Sequence, residues 1–264
     1  MRITVLTENT ACSPLVKGEH GLSLYIETGA HRILFDMGQS DLLLQNARAL
    51  GVDLLQVNLA VLSHGHYDHG GGLSAFFTVN EKAPVYVNRS AFEKHYRKDG
   101  TYIGLDPALQ TCKRLVLTDE CYEIDGTLSL FACNLRQKPY GLDTAGLSME
   151  RDGEAVPEDF RHEQYLLVRE GERRILISGC SHKGILNVAH WFAPDVLIGG
   201  FHLNKNDPET PRGKAVLDDI TARLSAGNTA YYTCHCTGVP QYEYLKTKMG
   251  DRLGYLACGA TMEI

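Results

Sequence analysis

Four times along this chain of 264 residues an apolar run ends in a turn that carries histidine, and a helical pattern follows. The runs are residues 57–62, 174–177, 196–198 and 231–233. Nearly continuous apolar runs of this length read as strands covered on both faces, and strands alternating with helices indicate an α/β fold. Each turn then sets polar side chains at the carboxyl end of a strand. With 44% hydrophobic and 22% charged residues the chain can bury a full core. No Pro/Gly/Ser-rich linker divides it, so a single domain over residues 1–264 is expected, with a loop-rich middle around 101–160.

Local patterns supply the other elements. Residues 2–6, 22–27 and 32–35 read as strands, the last two joined by the turn Thr28-Gly29-Ala30-His31. Ser40-Asp41 followed by Leu42, Leu43, Ala47, Leu50 and the stop at Gly51 predicts a helix over 41–50. Residues 73–77 begin another helix, 85–87 form a strand and 90–96 a short helix. In the middle, 114–117 and 128–132 read as strands, and 164–168 with 174–177 as a hairpin. Helices are expected over 185–192 and over 214–224, where Val216, Ile220 and Leu224 share a face.

Charge and cysteine content narrow the function classes. A formal net charge of −6 gives no basic field for wrapping nucleic acid. No run approaches the roughly 18 apolar residues of a membrane span, and the first eight residues turn polar too soon for a signal peptide. Eight irregularly scattered cysteines fit reduced thiols better than a disulfide framework. The expectation is a cytoplasmic protein with a small-molecule substrate and no nucleic-acid or membrane partner. Nothing in the sequence speaks to oligomeric state.

The histidines carry the chemistry. Ser63-His64-Gly65-His66-Tyr67-Asp68-His69 is followed by three glycines. Imidazoles two positions apart at an extended strand end project to one side, so His64 and His66 can reach one metal. Flanking glycines let the chain curl until Asp68 and His69 face a second. Neutral imidazole and carboxylate suit zinc, one or two ions, with iron or manganese as alternatives.

This His-x-His-x-Asp-His motif resembles that of the metallo-β-lactamase superfamily, and the apolar strand before it, Ile33-Leu34-Phe35-Asp36-Met37-Gly38 and the later strand-end histidines follow the superfamily's order. The resemblance implies a four-layer αββα sandwich with a dinuclear metal site at one edge. Within the superfamily, Glu19-His20-Gly21-Leu22-Ser23, Ser178-Gly179-Cys180-Ser181-His182, Gly199-Gly200-Phe201-His202-Leu203 and Thr233-Cys234-His235-Cys236-Thr237-Gly238 are similar to the branch of the 7,8-dihydropterin-6-methyl-4-(β-D-ribofuranosyl)-aminobenzene-5′-phosphate synthases.

Carried over position by position, the resemblance implies that His64 and His66 hold one metal, Asp68 and His69 the other, and that His235 is the last ligand. Most hydrolases of the superfamily have a Gly-Asp whose carboxylate bridges the metals; here Gly179-Cys180 stands instead. His182 is the preferred third ligand of the first metal, ahead of His162, and Cys180 is an additional candidate. On a regular strand Cys234 and Cys236 do not share a face with His235, so both are left outside the metal set.

The resemblance also implies that Asp36, in a strand-end Asp-x-Gly, orients a metal histidine from behind, with helix capping as the alternative. Asp68 and His202 are the catalytic candidates; the resemblance to related phosphodiesterases implies that His202 faces substrate to protonate a leaving oxygen or bind phosphate, the alternative being a core-edge histidine bonded to backbone. His20 is a weaker pocket candidate. Lys183, opening a helix behind His182, is a candidate for receiving phosphate at free backbone N–H groups. His31, His95 and His190 read as surface or packing residues, Glu8 and Asn9 as solvated rim, and Tyr102, Tyr140 and Arg136 as pocket wall. The reaction implied is hydrolysis of a small, anionic phosphorylated or ester-type substrate. The alternatives are a transferase joining a pterin diphosphate to an aryl amine, and a sensor without turnover.

Overall fold

Two seven-stranded sheets carry the apolar runs inward, in a computed structural model that describes residues 1–264. Across the first sheet lie Thr261–Glu263, Arg2–Thr7, Ser23–Glu27, Arg32–Phe35, Leu59–Val61, Val85–Asn88 and Leu115–Thr118. The second runs Leu253–Tyr255, Ala230–Thr233, Val196–Gly199, Arg173–Ile177, Tyr165–Glu170, Leu128–Phe131 and Cys121–Glu123. Each strand alternates its side chains between two faces, and in both sheets both faces are apolar.

One set of faces meets its counterpart. Ile3, Leu24, Phe35 and Val61 from the first sheet pack with Leu130, Leu166, Ile177 and Ile198 from the second. The outer faces take helices: Leu42–Ala49 and Leu73–Val79 cover the first sheet, and Ile185–Phe192, Pro211–Ser225 and Val239–Met249 cover the second. This is the expected four-layer αββα sandwich. Phe35 is fully buried between the sheets, so Phe35→Ala is expected to cost about 3–5 kcal/mol through the cavity it leaves. Urea unfolding measures this, and a loss below about 1 kcal/mol would mean that the two sheets do not press together there.

Several local expectations change. Residues 90–96 are not a helix: a turn leads to the strand His95–Tyr96, which pairs with Ser148–Arg151. With Glu154–Pro157 these form a small three-stranded sheet inside the loop-rich middle. His95 is drawn into the interior by this pairing, and its burial overrides the local helical pattern. Tyr67–Gly70, within the turn where the chain was expected to curl, is a single helical turn. The helix Val239–Met249 and the edge strand Thr261–Glu263, paired antiparallel to Arg2–Thr7, have no counterpart in the sequence reading. No helix is long and apolar enough to cross a membrane.

Candidate metal centre

Parallel pairing of Arg32–Phe35 with Leu59–Val61 puts Asp36 beside Ser63 at neighbouring strand ends. Asp36 is fully buried in the left-handed region at φ 58°. Its Oδ1 accepts the Ser63 N–H at 2.7 Å, and its Oδ2 accepts the Ser63 hydroxyl at 2.7 Å and His69 Nδ1–H at 2.6 Å. Because the Ser63 proton goes to Asp36, Ser63 Oγ accepts from His64 Nδ1–H at 2.8 Å. His235 Nδ1–H is taken by Asn9 Oδ1 at 2.8 Å. All three rings therefore hold their proton on Nδ1 and turn an Nε2 lone pair inward.

Those lone pairs converge. Ring nitrogens of His64, His66 and His182 lie within 4.8 Å of one another. His64 Nε2, His66 Nε2 and both nitrogens of His182 are buried without any hydrogen-bond partner. Beside them His69 Nε2 lies 3.2 Å from His235 Nε2 and 3.1 Å from Cys180 Sγ. Asp68 Oδ2 lies 3.2 Å from His235 Nε2 and 3.8 Å from His69 Nε2. A tetrahedral ion with bonds of about 2.0–2.3 Å spaces its ligand atoms about 3.3–3.8 Å apart. Lone pairs facing each other at such distances need a cation or an added proton between them. The residues present thus fit one cation at His64, His66 and His182, and another at Asp68, His69, His235 and Cys180.

Electrostatics follow from this enclosure. Burial lowers the pKa of His64, His66 and His182 well below the ordinary imidazole value, and the neighbouring imidazoles add to it. Burial acts on His69 in the same sense, but the Asp36 and Asp68 carboxylates outweigh it and raise that pKa. For Asp68 burial is opposed by His69 and by hydrogen bonds from His20 and His235, which hold the carboxyl well below its usual range. Burial, then Lys205, brings His202 down to about 4.

The structure brings together His64, His66, Asp68, His69, His182, His235 and Cys180, with Asp36 behind His69. His20 Nε2 approaches Asp68 Oδ2 at 3.2 Å from the exposed side, and the His202 ring lies tilted against that of His182, centroids 4.3 Å apart. Lys183 is different. It is fully buried, its Nζ donates to the carbonyls of Ala132 and Glu163, and its N–H and that of His182 donate to the Glu163 carboxylate. The phosphate role expected of Lys183 is thereby corrected: a buried carboxylate already occupies those N–H groups.

Other side chains also move from their expected places. Cys236 Sγ lies within 4.8 Å of Cys180 and His235, because His235 adopts φ 50° in a 3-10 turn and no regular strand persists there. Glu8 is fully buried and accepts the His235 N–H at 2.6 Å, and so is not solvated rim. His95 is a buried partner of Glu158, at 2.7 Å. Tyr140 lines a cavity beside the centre, whereas Tyr102 and Arg136 do not. Glu158 and Glu163 drew no attention in the sequence; an acidic residue beside a histidine, as in His162-Glu163, was the one available signal.

A cleft of about 560 Å³ opens over the centre, with His66, Asp68, His182 and His235 among its walls and Arg97, Lys98 and Lys205 at its margin. A second cavity of about 520 Å³ adjoins it through His182, His202 and Lys205 and is faced by Phe201, Leu203 and Ile220.

The family model of the metallo-beta-lactamase superfamily matches residues 16–202. The chain is 32% identical to an uncharacterized protein of Methanocaldococcus jannaschii over 76% of this chain and 79% of the relative. It is 27% identical to the 7,8-dihydropterin-6-methyl-4-(beta-D-ribofuranosyl)-aminobenzene-5'-phosphate synthase of the same organism, over 83% of this chain and 81% of that one. Among solved structures it is similar to Tm1679, a metal-dependent hydrolase of the beta-lactamase superfamily, at TM-score 0.84 and 29% identity, covering 100% of this chain and 99% of that one.

Proposed function

From its place in the metallo-β-lactamase superfamily, to which this chain belongs, we propose that it is a metal-dependent hydrolase of a small, anionic phosphorylated or ester-type substrate. The observation that carries this reading is the meeting of ring nitrogens of His64, His66 and His182, buried and partnerless at His64 and His182, with the Asp68, His69, His235 and Cys180 group beneath an open cleft. Cations held there, zinc or alternatively iron or manganese, supply Lewis-acid polarisation and lower the pKa of water to about 7.

The protein's own groups do the rest. Arg97, Lys98 and Lys205 line the cleft, where the acidic residues are Asp99 and the candidate ligand Asp68, and draw an anionic substrate toward it. Asp68, ionised between His20 and His235, keeps negative charge fixed at the second position. His202 is neutral near pH 7 and offers an N–H to a substrate oxygen; an anion settling beside it and Lys205 raises its proton affinity, so it holds or gives up a proton there. Asp36 and Ser63 keep His64 and His69 in the tautomers that aim Nε2 inward.

A second reading is favoured by one observation, the adjoining cavity with its apolar wall, which suits a longer two-part substrate. In that reading the chain resembles its pterin-related relative in activity, and an aryl amine replaces water as nucleophile. Assays of zinc-, iron- and manganese-loaded protein with phosphomonoesters, phosphodiesters and lactones, and with a pterin diphosphate plus an aminobenzoate-type amine, separate the two by product. Exhaustive chelation is expected to cut either activity by about 10³-fold or more, with recovery on adding the ion back. Turnover that survives chelation would overturn both readings.

A further inference from the structure

His95, Glu158 and His162 are fully buried, lie outside the cleft lining, and gather with His66 so that one polar atom of each lies within 4.8 Å of the others. Nε2 of His66, His95 and His162 has no hydrogen-bond partner. Proton positions follow from the partners that do exist. Gly65 N–H donates to His162 Nδ1 at 2.8 Å, so neutral His162 carries its proton on Nε2, 3.5 Å from Glu158 Oε1. Glu158 Oε1 accepts the Phe160 N–H at 3.0 Å, and Oε2 sits 2.7 Å from His95 Nδ1. An ionised carboxylate only accepts, so His95 holds its proton on Nδ1 and keeps a lone pair on Nε2.

The His95 ring meets the His66 ring edge-on, with centroids 5.4 Å apart. With Nδ1 of His66 serving the cation, its buried and partnerless Nε2 must carry the proton, and a buried N–H left without an acceptor is costly. His95 Nε2, itself without a partner, belongs to the cluster whose polar atoms lie within 4.8 Å of one another, so a small closing of the two rings on cation binding would bring it into hydrogen-bond distance. Gly65, between the two histidines of the motif, has no room for a side chain: a Cβ there would meet the Ala91 carbonyl at 2.0 Å. The backbone at this point is therefore held tightly from both sides.

We propose that His95, Glu158 and His162 are positioning residues for the first cation: His95 accepts the second N–H of His66, Glu158 fixes the His95 tautomer, and His162 clamps the backbone between His64 and His66 through Gly65. The proposal rests on the cation-dependent reading above. The cluster supports that site and is not a further cation site, because His162 has no lone pair left to give: Nδ1 is taken by Gly65 and Nε2 carries the proton.

The test titrates cation-free protein with cobalt(II), following the visible ligand-field spectrum, bound stoichiometry and, separately, urea unfolding. His95→Phe and Glu158→Gln are each expected to weaken cobalt affinity about 10–100-fold and to alter the spectrum. His95→Gln, which retains an acceptor oxygen, is expected to recover most of the affinity. Variants that lose stability yet bind cobalt with the wild-type affinity and spectrum would reduce the cluster to a structural role and overturn the proposal. So would a wild type that binds one more ion than the His66-side and Asp68-side positions hold, with that extra ion alone lost in His95→Phe. A wild type that binds no cobalt at all would overturn the underlying reading as well, and only that arm reports it.

Discussion

His64→Ala is expected to lose cation from both positions and to lower kcat/KM by about 10³-fold or more. His64 belongs to the group with His66 and His182 and also to the group with His69 and Cys180, so its Nε2 lies where the two positions meet. Removing Lewis-acid stabilisation worth several kcal/mol corresponds to a loss of that size, at 1.36 kcal/mol per factor of ten. His31→Ala supplies the control, since His31 pairs with Asp125 far along the chain from the cluster. Metal analysis and steady-state kinetics read the result. Wild-type ion content in His64→Ala would remove the basis of the proposed function.

The cation-free protein is expected to be acid-labile. His162 and His202 each have their pKa lowered to about 4, chiefly by burial. In the unfolded chain both titrate near 6.5, so the unfolded state binds more protons between the two values. Their contribution is complete above about pH 6.5 and is lost as pH falls toward 4. At 1.36 kcal/mol per pKa unit each accounts for about 3 kcal/mol, and coupling between neighbouring rings makes the sum smaller than the parts. His64, His66 and His182 act in the same direction.

Below about pH 4.5 the depressed carboxyls of Asp68 and Glu158 extend the loss, because their stabilisation vanishes as pH falls below the unfolded value. His69 opposes the trend, since its raised pKa stabilises most below pH 6.5 and least once pH passes above its folded value. Urea unfolding of chelated protein between pH 7.5 and 4 should show a fall of several kcal/mol. A flat profile would show that these imidazoles are hydrated in solution.

Much of the fold was legible because strand and helix periods are local. Residues 185–192 show the pattern and form the helix Ile185–Phe192. The four strand ends were readable for the same reason, as was the dense motif from His64 to His69. Residues 90–96 misled because a strand of two residues, His95–Tyr96, takes its stability from pairing with Ser148–Arg151, more than fifty positions away. Around the site Asp36, Ser181, His202 and His235 all adopt positive φ, which no side-chain pattern announces at non-glycine positions.

From the sequence's own periodicity came an α/β fold and the residues placed at strand ends, since hydrophobic periodicity and chain alternation are properties of neighbouring residues; the sandwich class came from the resemblance of the histidine motif and its flanking segments to the superfamily. Tertiary structure alone decided which of the strand-end groups are spent on other partners and which keep a lone pair without a partner. Glu163 takes the N–H groups of His182 and Lys183, Glu158 draws in His95 and His162, and Asp36 sets the rings of His64 and His69. Each of these is a contact between distant segments, and the free energy that selects it, the cost of leaving a buried polar group unpaired, exists only once the chain has closed around it.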